Sequence, residues 1–292
     1  MIPNTPGIYP GISRADYERI DAVNWSTLKE ILRSPAHYRA ELKRKKKVTD
    51  PMRIGSATHV LAFEPDQFFR RFAIWDGERR TGNDWKAFSR KCEAEGLEIL
   101  TEKMHRKSKA MAEAATRDEL CAAYLRGGQA EVTLVWWYEA PPGPDGEPGY
   151  RILCKGRPDV GADALVDLKT TKDGSPTEFG KSASRYLYTS QSAFYRHGYR
   201  TLTRKDLPCV LVAVESDEPH ISQPYILTEA QLLRGESRFR TCLDQLHRCQ
   251  QTNDWRGYAD RPITLELPTW DAPEDDDGDL SALGLEGVEE AA

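Results

Sequence analysis

From Ala130 to Ala140 the chain alternates: Val132, Leu134, Trp136 and Tyr138 interleave with Glu131, Thr133, Val135 and Trp137. A repeat of two is the period of a β-strand, whereas the segments before it repeat at helical spacing. The stretch PPGPDGEPG (141–149) is a turn by composition. Two more strands are predicted around Tyr150–Asp159 and Ala164–Lys169, joined tightly through Gly161, Ala162 and Asp163. A meander of this kind has to be covered by something, and the flanking segments supply helices.

Upstream, residues 1–23 are rich in Pro, Gly and polar side chains and are expected to form an irregular lead-in. Asn24 or Ser26 would cap a short helix carrying Leu28, Ile31 and Leu32, which Pro35 ends. A second helix through Tyr38 and Leu42 runs into the basic cluster Lys43–Lys47, and Pro51 opens a third with Ile54, Ala57, Val60 and Leu61. Polar helices are expected over 84–95 and 101–125. Downstream come a helix over 177–199, strands at 207–216 and 221–227, and a closing helix over 228–253. Helices, meander, helix, strand pair and helix read as one mixed α/β domain over 24–268.

The net charge of −5 is an average of two unlike parts. From Asp271 onward there are nine acidic residues and no Lys or Arg, so the rest of the chain has 41 basic residues against 37 acidic (46 less nine). A mildly basic body permits nucleic-acid binding, and residues 269–292 form a separate acidic tail. No apolar run approaches the ~18 residues needed to cross a membrane. The opening MIPNTPGIYPGIS lacks the order of a secretion signal, so a cytoplasmic protein is expected. Six scattered cysteines without a C-x-x-C pair suit buried thiols better than a zinc ribbon, a disulfide framework or an iron–sulfur cluster.

The chemistry concentrates in Lys155-Gly156-Arg157-Pro158-Asp159 and Val166-Asp167-Leu168-Lys169-Thr170-Thr171. On a strand Asp167 and Lys169 share one face; if the preceding strand pairs beside them, Asp159 arrives on the same side. Two carboxylates and an ammonium then converge. Carboxylates hold Mg²⁺ against a phosphate, the metal activates water, and a lysine beside it neutralises charge in the transition state. A bare D-x-K occurs by chance in many proteins, so the context has to carry the argument.

That context resembles the PD-(D/E)xK nuclease superfamily: PD at 158–159, then D-x-K at 167–169. Gln191 and Tyr195, four apart on a helix face, resemble the Q-x-x-x-Y element of its RecB-like branch. Ile54-Gly55-Ser56-Ala57-Thr58-His59 resembles the G-x-x-x-H helix. Ser34-Pro35-Ala36-His37-Tyr38, after Trp25-Ser26-Thr27-Leu28, is similar to the N-terminal element of exonuclease VIII-type (RecE-like) phage recombination exonucleases. The resemblance covers roughly 24–200. It implies a restriction-endonuclease-like α/β core, with a central mixed β-sheet flanked by helices and an N-terminal helical extension. It implies Mg²⁺ or Mn²⁺ on Asp159, Asp167, His59 and Glu131, with Lys169 as catalytic lysine and Gln191 and Tyr195 bracing the site or the DNA backbone. Ser26 and Arg33 are then candidates for the 5′-phosphate end. The implied activity is 5′→3′ degradation of linear double-stranded DNA by a ring-shaped homo-oligomer, leaving 3′ single strands for annealing.

Other features keep two readings. The run Lys43-Arg44-Lys45-Lys46-Lys47 is a solvated face, or tracks phosphates with Lys45 and Lys46. Trp25, Trp75 and Trp85 are packing residues, or stack on bases. The tail, with Leu280, Leu283, Leu285 and Val288 among its acids, is a solubilising end, or docks a single-strand annealing protein. Two alternatives stand beside the exonuclease: a RecB-like nuclease of other polarity or substrate, and a catalytically silent module that binds DNA or a partner. The silent module has no electrostatic reason to keep converging carboxylates.

Overall fold

The Pro- and Gly-rich opening is more ordered than its composition suggests. In this computed structural model, which describes residues 2–44, 48–126, 128–143, 146, 148–161 and 163–266, Gly7–Tyr9 forms strand β1 and Arg14–Arg19 forms helix α1. The expected irregular lead-in is therefore part of the fold: β1 pairs with Thr133–Val135, and Tyr17 and Ile20 are buried. Lys155 ties it down, its Nζ donating to the carbonyls of Tyr17, Glu18 and Ile20 at 2.9, 3.3 and 2.7 Å. Elements of three and six residues are too short to show a period.

Asn24 caps α2 (Trp25–Leu28), its side chain accepting from the Thr27 N–H, and the chain continues as a 3₁₀ turn, Lys29–Leu32. Leu28 and Ile31 are buried as expected, but Leu32 is exposed. Next come α3 (Pro35–Lys43), α4 (Asp50–Phe63) and α5 (Phe68–Arg71). An excursion follows through β2 (Phe72–Trp75), α6 (Gly82–Glu95) and β3 (Glu98–Thr101). The parallel β2–β3 pair was not anticipated, each strand being four residues long. The single helix expected over 101–125 is two, α7 (Glu102–Arg117) and α8 (Glu119–Leu125). Asp118 leaves helical geometry between them and its carboxylate accepts the Cys121 N–H at 2.8 Å, a cap that competes with helix continuation.

The meander comprises β4 (Gln129–Ala130), β5 (Thr133–Ala140), β6 (Tyr150–Gly156), β7 (Val160–Gly161) and β8 (Leu165–Thr171). The strand expected over 130–140 is broken in two, the next ends early at Gly156, and β7 takes in Gly161, expected as connection. The register is nevertheless the same on both sides of the break, with Ala130 opposite Val160 and Leu134 opposite Gly156. At the break Glu131 takes a positive φ of 54°, which costs a non-glycine residue energy and locally interrupts the ladder. The sheet thus divides into β1-β5-β6 and β10-β9-β8-β7-β4, where β9 is Cys209–Glu215 and β10 is Ser222–Ile226. The β8–β9 pair is parallel, so a crossover is required. Two helices supply it, α9 (Pro176–Arg185) and α10 (Tyr188–Thr203), in place of the one expected over 177–199; Leu187 turns between them at φ 60°. The last helix of this unit is α11 (Glu229–Thr252), opened by a Thr228–Gln231 capping box.

Both faces of the five-stranded sheet are covered. Leu165, Leu211 and Ala213 join Trp136, Phe194 and Phe239 in the core under α10 and α11. Val166, Leu168, Val210, Val212 and Val214 pack with Met111, Ala115 and Cys121 of α7 and α8. Helix α10 lies so near β5 that a Cβ on Gly198 would sit 2.6 Å from Trp136 Cε3. Trp136 is fully buried and cannot give way, so Gly198→Ala is expected to cost about 1–3 kcal/mol by overpacking, read as a lower urea midpoint at unchanged m-value. Residues Met1–Gly257 form one unit and Tyr258–Ala292 another, whose described part, 258–266, has no helix or strand. The six cysteines are free and buried, and no helix among the described residues is long and apolar enough to cross a membrane.

Candidate functional site

Asp159 sits where the ladder gives out, and its own groups close the gap. Its N–H donates to Val166 O at 3.1 Å, and its carbonyl accepts the Glu131 N–H at 2.8 Å. Its Oδ2 accepts the Leu168 N–H at 2.6 Å, while Oδ1 lies 3.2 Å from His59 Nδ1. His59 comes from α4, which approaches β8 closely: a Cβ on Gly55 would be 3.3 Å from Thr170 Oγ1. Glu131 completes the group. One ligand atom from each of His59, Glu131 and Asp159 lies within 4.8 Å of the others. Asp167, expected as a further ligand, stands outside this group.

Asp167 instead pairs closely with Lys169 on the same face of β8. Lys169 Nζ also donates to Gln191 Oε1 at 3.0 Å and lies 4.6 Å from the centre of the Tyr188 ring. Gln191 Nε2 donates to Tyr195 Oη at 2.9 Å. The two are one helical turn apart, and a Cβ on Gly156 would meet the Tyr195 ring at 2.6 Å. Hence α10 rests on β6 through Tyr195 and hands Lys169 an acceptor through Gln191.

The charges in this pocket are unequal. Burial pushes the Asp159 carboxyl up, but His59, Lys169 and the Leu168 N–H outweigh burial and hold it below its usual range. For Asp167 burial prevails, aided by the negative charge of Asp159 and opposed by Lys169, and its pKa is raised. Glu131 is likewise raised by burial and by Asp159, against Arg157 and His59. Burial lowers His59 and Lys169, yet the surrounding acids more than compensate and raise both. Asp159 is thus the acid held ionised, while burial and its charge raise Asp167 and Glu131, and the acids around them raise His59 and Lys169. Burial keeps the Tyr195 hydroxyl protonated well above its ordinary range.

Sequence reasoning missed Arg157, whose Nε lies 2.6 Å from Glu131 Oε2. The available signal was a charged residue two places before Asp159 at the end of an apolar strand. Ser26 Oγ donates to Asn24 Oδ1 at 2.6 Å, and Arg33 lies 3.5 Å from Glu30; α2 packs on α10 and α11. Trp25 is buried against Phe194, and Trp75 packs against Trp85 and Phe88 at 5.4 and 5.1 Å. Lys45, Lys46 and the acidic tail 269–292 lie outside the described residues.

The model of the family described as "PDDEXK-like domain of unknown function (DUF3799)" matches residues 24–262. No curated protein matches. Among solved structures, a "putative exonuclease" from Eubacterium rectale is similar at TM-score 0.54 and 15% identity, over 87% of this chain and 96% of that one. Another, SSO0001, aligns over 74% of this chain and 84% of that chain, at 13% identity and a TM-score of 0.27, too slight a likeness to bear on the fold.

Proposed function

The chain belongs to the PDDEXK-like family of unknown function, and on that premise we propose that it is a metal-dependent nuclease hydrolysing DNA phosphodiesters at the break in its sheet. The observation that carries the reading is the meeting of His59, Glu131 and Asp159 beside the Asp167–Lys169 pair. One nitrogen and two carboxylate oxygens brought this close together fit a divalent cation such as Mg²⁺ or Mn²⁺. Held by His59, Glu131 and Asp159, such a cation would supply charge neutralisation at the phosphate and activation of water.

The rest is done by the chain's own residues. Lys169, kept protonated by Asp167 and Asp159, donates to the phosphate oxygen on which negative charge grows. Asp167 and Gln191 fix the position of its ammonium, and Tyr195 fixes Gln191. Arg157 sets the Glu131 carboxylate.

The finer reading is an exodeoxyribonuclease that degrades linear duplex 5′→3′. Digestion of end-labelled linear duplex beside covalently closed circles tests it. Loss of linear DNA with circles spared is the expected result, with the released label giving the polarity. Equal cutting of circles would make the enzyme an endonuclease. No cleavage with Mg²⁺ or Mn²⁺ would leave the silent binding module.

A pH dependence follows from His59. Its folded pKa lies above the ordinary value of 6.5, so its pairing with Asp159 stabilises the metal-free chain fully below about 6.5 and is lost as pH rises through the folded value. A ligating imidazole must be neutral. Mn²⁺ affinity is therefore expected to rise through the window in which the metal-free melting temperature falls, and His59→Gln to flatten both trends there. Calorimetric titration and thermal melts across that window check it.

A further inference from the structure

Three arginines carry charges that reach Glu131: Arg14, Arg71 and Arg157. Arg157 is ion-paired with Glu131 itself at 2.6 Å, and Arg14 with Glu18 at 2.9 Å. Arg71 differs. Among the described residues its hydrogen bond is to a neutral partner, Nη2 donating to Ser56 Oγ at 3.1 Å, and no carboxylate lies within ion-pair distance of it. Its guanidinium also lies 5.5 Å from the centre of the Phe72 ring, so one hydroxyl and one ring hold it in place.

The position of that hydroxyl matters. Ser56 and His59 are three apart on α4 and therefore neighbours on one helix face. Arg71, arriving from α5, is thus presented one turn of α4 from a residue of the proposed metal group. Burial lowers its pKa, with the charges of Glu98, Glu131 and Glu64 opposing and that of Arg14 adding to the effect. A half-buried guanidinium without a carboxylate partner, beside a site for a phosphodiester, is a fork whose natural complement is a phosphate.

We propose that Arg71 binds a backbone phosphate of the DNA strand lying in the site, next to the phosphate undergoing hydrolysis. The inference rests on the nuclease reading, and it assigns substrate contact to α5, a segment with no part in the metal or lysine groups. Ser56 is then the positioning residue that aims the fork.

The test is binding of a fluorescein-labelled blunt duplex to the full chain in an Asp167→Asn background with Ca²⁺, from about 50 to about 200 mM salt. Arg71→Ala is expected to reduce the slope of log affinity against log salt by about one and to weaken binding about tenfold at the low-salt end. Arg71→Lys should restore the slope but not all of the affinity. Mn²⁺ affinity, measured by calorimetry, should match the parent in both. An unchanged slope in Arg71→Ala would overturn the inference, and so would a parallel loss of Mn²⁺ affinity, since Arg71 would then act through the metal group. Where wild type cuts duplex but the slope is unmoved, only this inference fails; where wild type neither cuts nor binds duplex, the nuclease reading fails with it.

Discussion

Lys169→Ala is expected to slow DNA hydrolysis by about 10²–10³-fold or more, with duplex binding and Mn²⁺ affinity little changed. The size follows from how the ammonium is held. Asp167, Gln191 and the Tyr188 ring surround it, and the neighbouring acids keep it charged well beyond neutral pH. Such a donor costs nothing to reorganise when negative charge builds on the phosphate. The variant should still fold, because Asp167 already titrates above its usual range and can take up a proton once its partner is gone, avoiding an unpaired buried charge. Lys169→Arg should not rescue: the planar fork cannot occupy the place of a compact ammonium between these groups. Single-turnover rates with enzyme in excess separate chemistry from binding. A wild-type rate in Lys169→Ala would remove Lys169 from the reaction.

Asp159→Asn is expected to lower Mn²⁺ affinity by more than about a hundredfold, since residues that merely orient ligands already cost ten- to a hundredfold. Asparagine keeps an oxygen for the Leu168 N–H, which Asp159 accepts at 2.6 Å, so the local backbone should survive. What disappears is the charge that, with the other acids, outweighs burial at His59 and that adds to burial in raising Asp167 and Glu131. The sign for stability is set by Asp159 itself: its folded pKa is depressed, so its contribution is present above about 3.9 and lost as pH falls through the folded value. Metal-free wild type and Asp159→Asn should therefore differ most near neutrality and converge in acid. Calorimetry with Mn²⁺ and melts in chelator measure both effects. Undiminished Mn²⁺ affinity would mean that the ion binds elsewhere.

The parts of the site legible from spacing alone, without the motif resemblance that named His59 and Glu131, are those governed by a local period. Asp167 and Lys169 share a face because strands repeat every two residues, and Gln191 meets Tyr195 because helices bring the fourth residue back. What could not be read depends on the tertiary fold. Nothing in the residues around Glu131 announces a left-handed backbone, yet that break aligns it with Asp159. The Lys155 ammonium that ties down the lead-in acts across more than a hundred residues of chain. The helix start at Asn24 shows the converse: a short capping motif located it correctly but could not say what that helix would face. Asp118 and Leu187 each divide a segment expected as one helix, through a side-chain cap and a single left-handed residue that the spacing does not announce.

The central claim is that a divalent cation is held where the sheet breaks, and anomalous diffraction from crystals soaked in Mn²⁺ tests it most directly. The account predicts a peak bounded by the His59 imidazole and the Glu131 and Asp159 carboxylates, lost in Asp159→Asn. An active protein with no peak there, or with its ion bound by other residues, would contradict it.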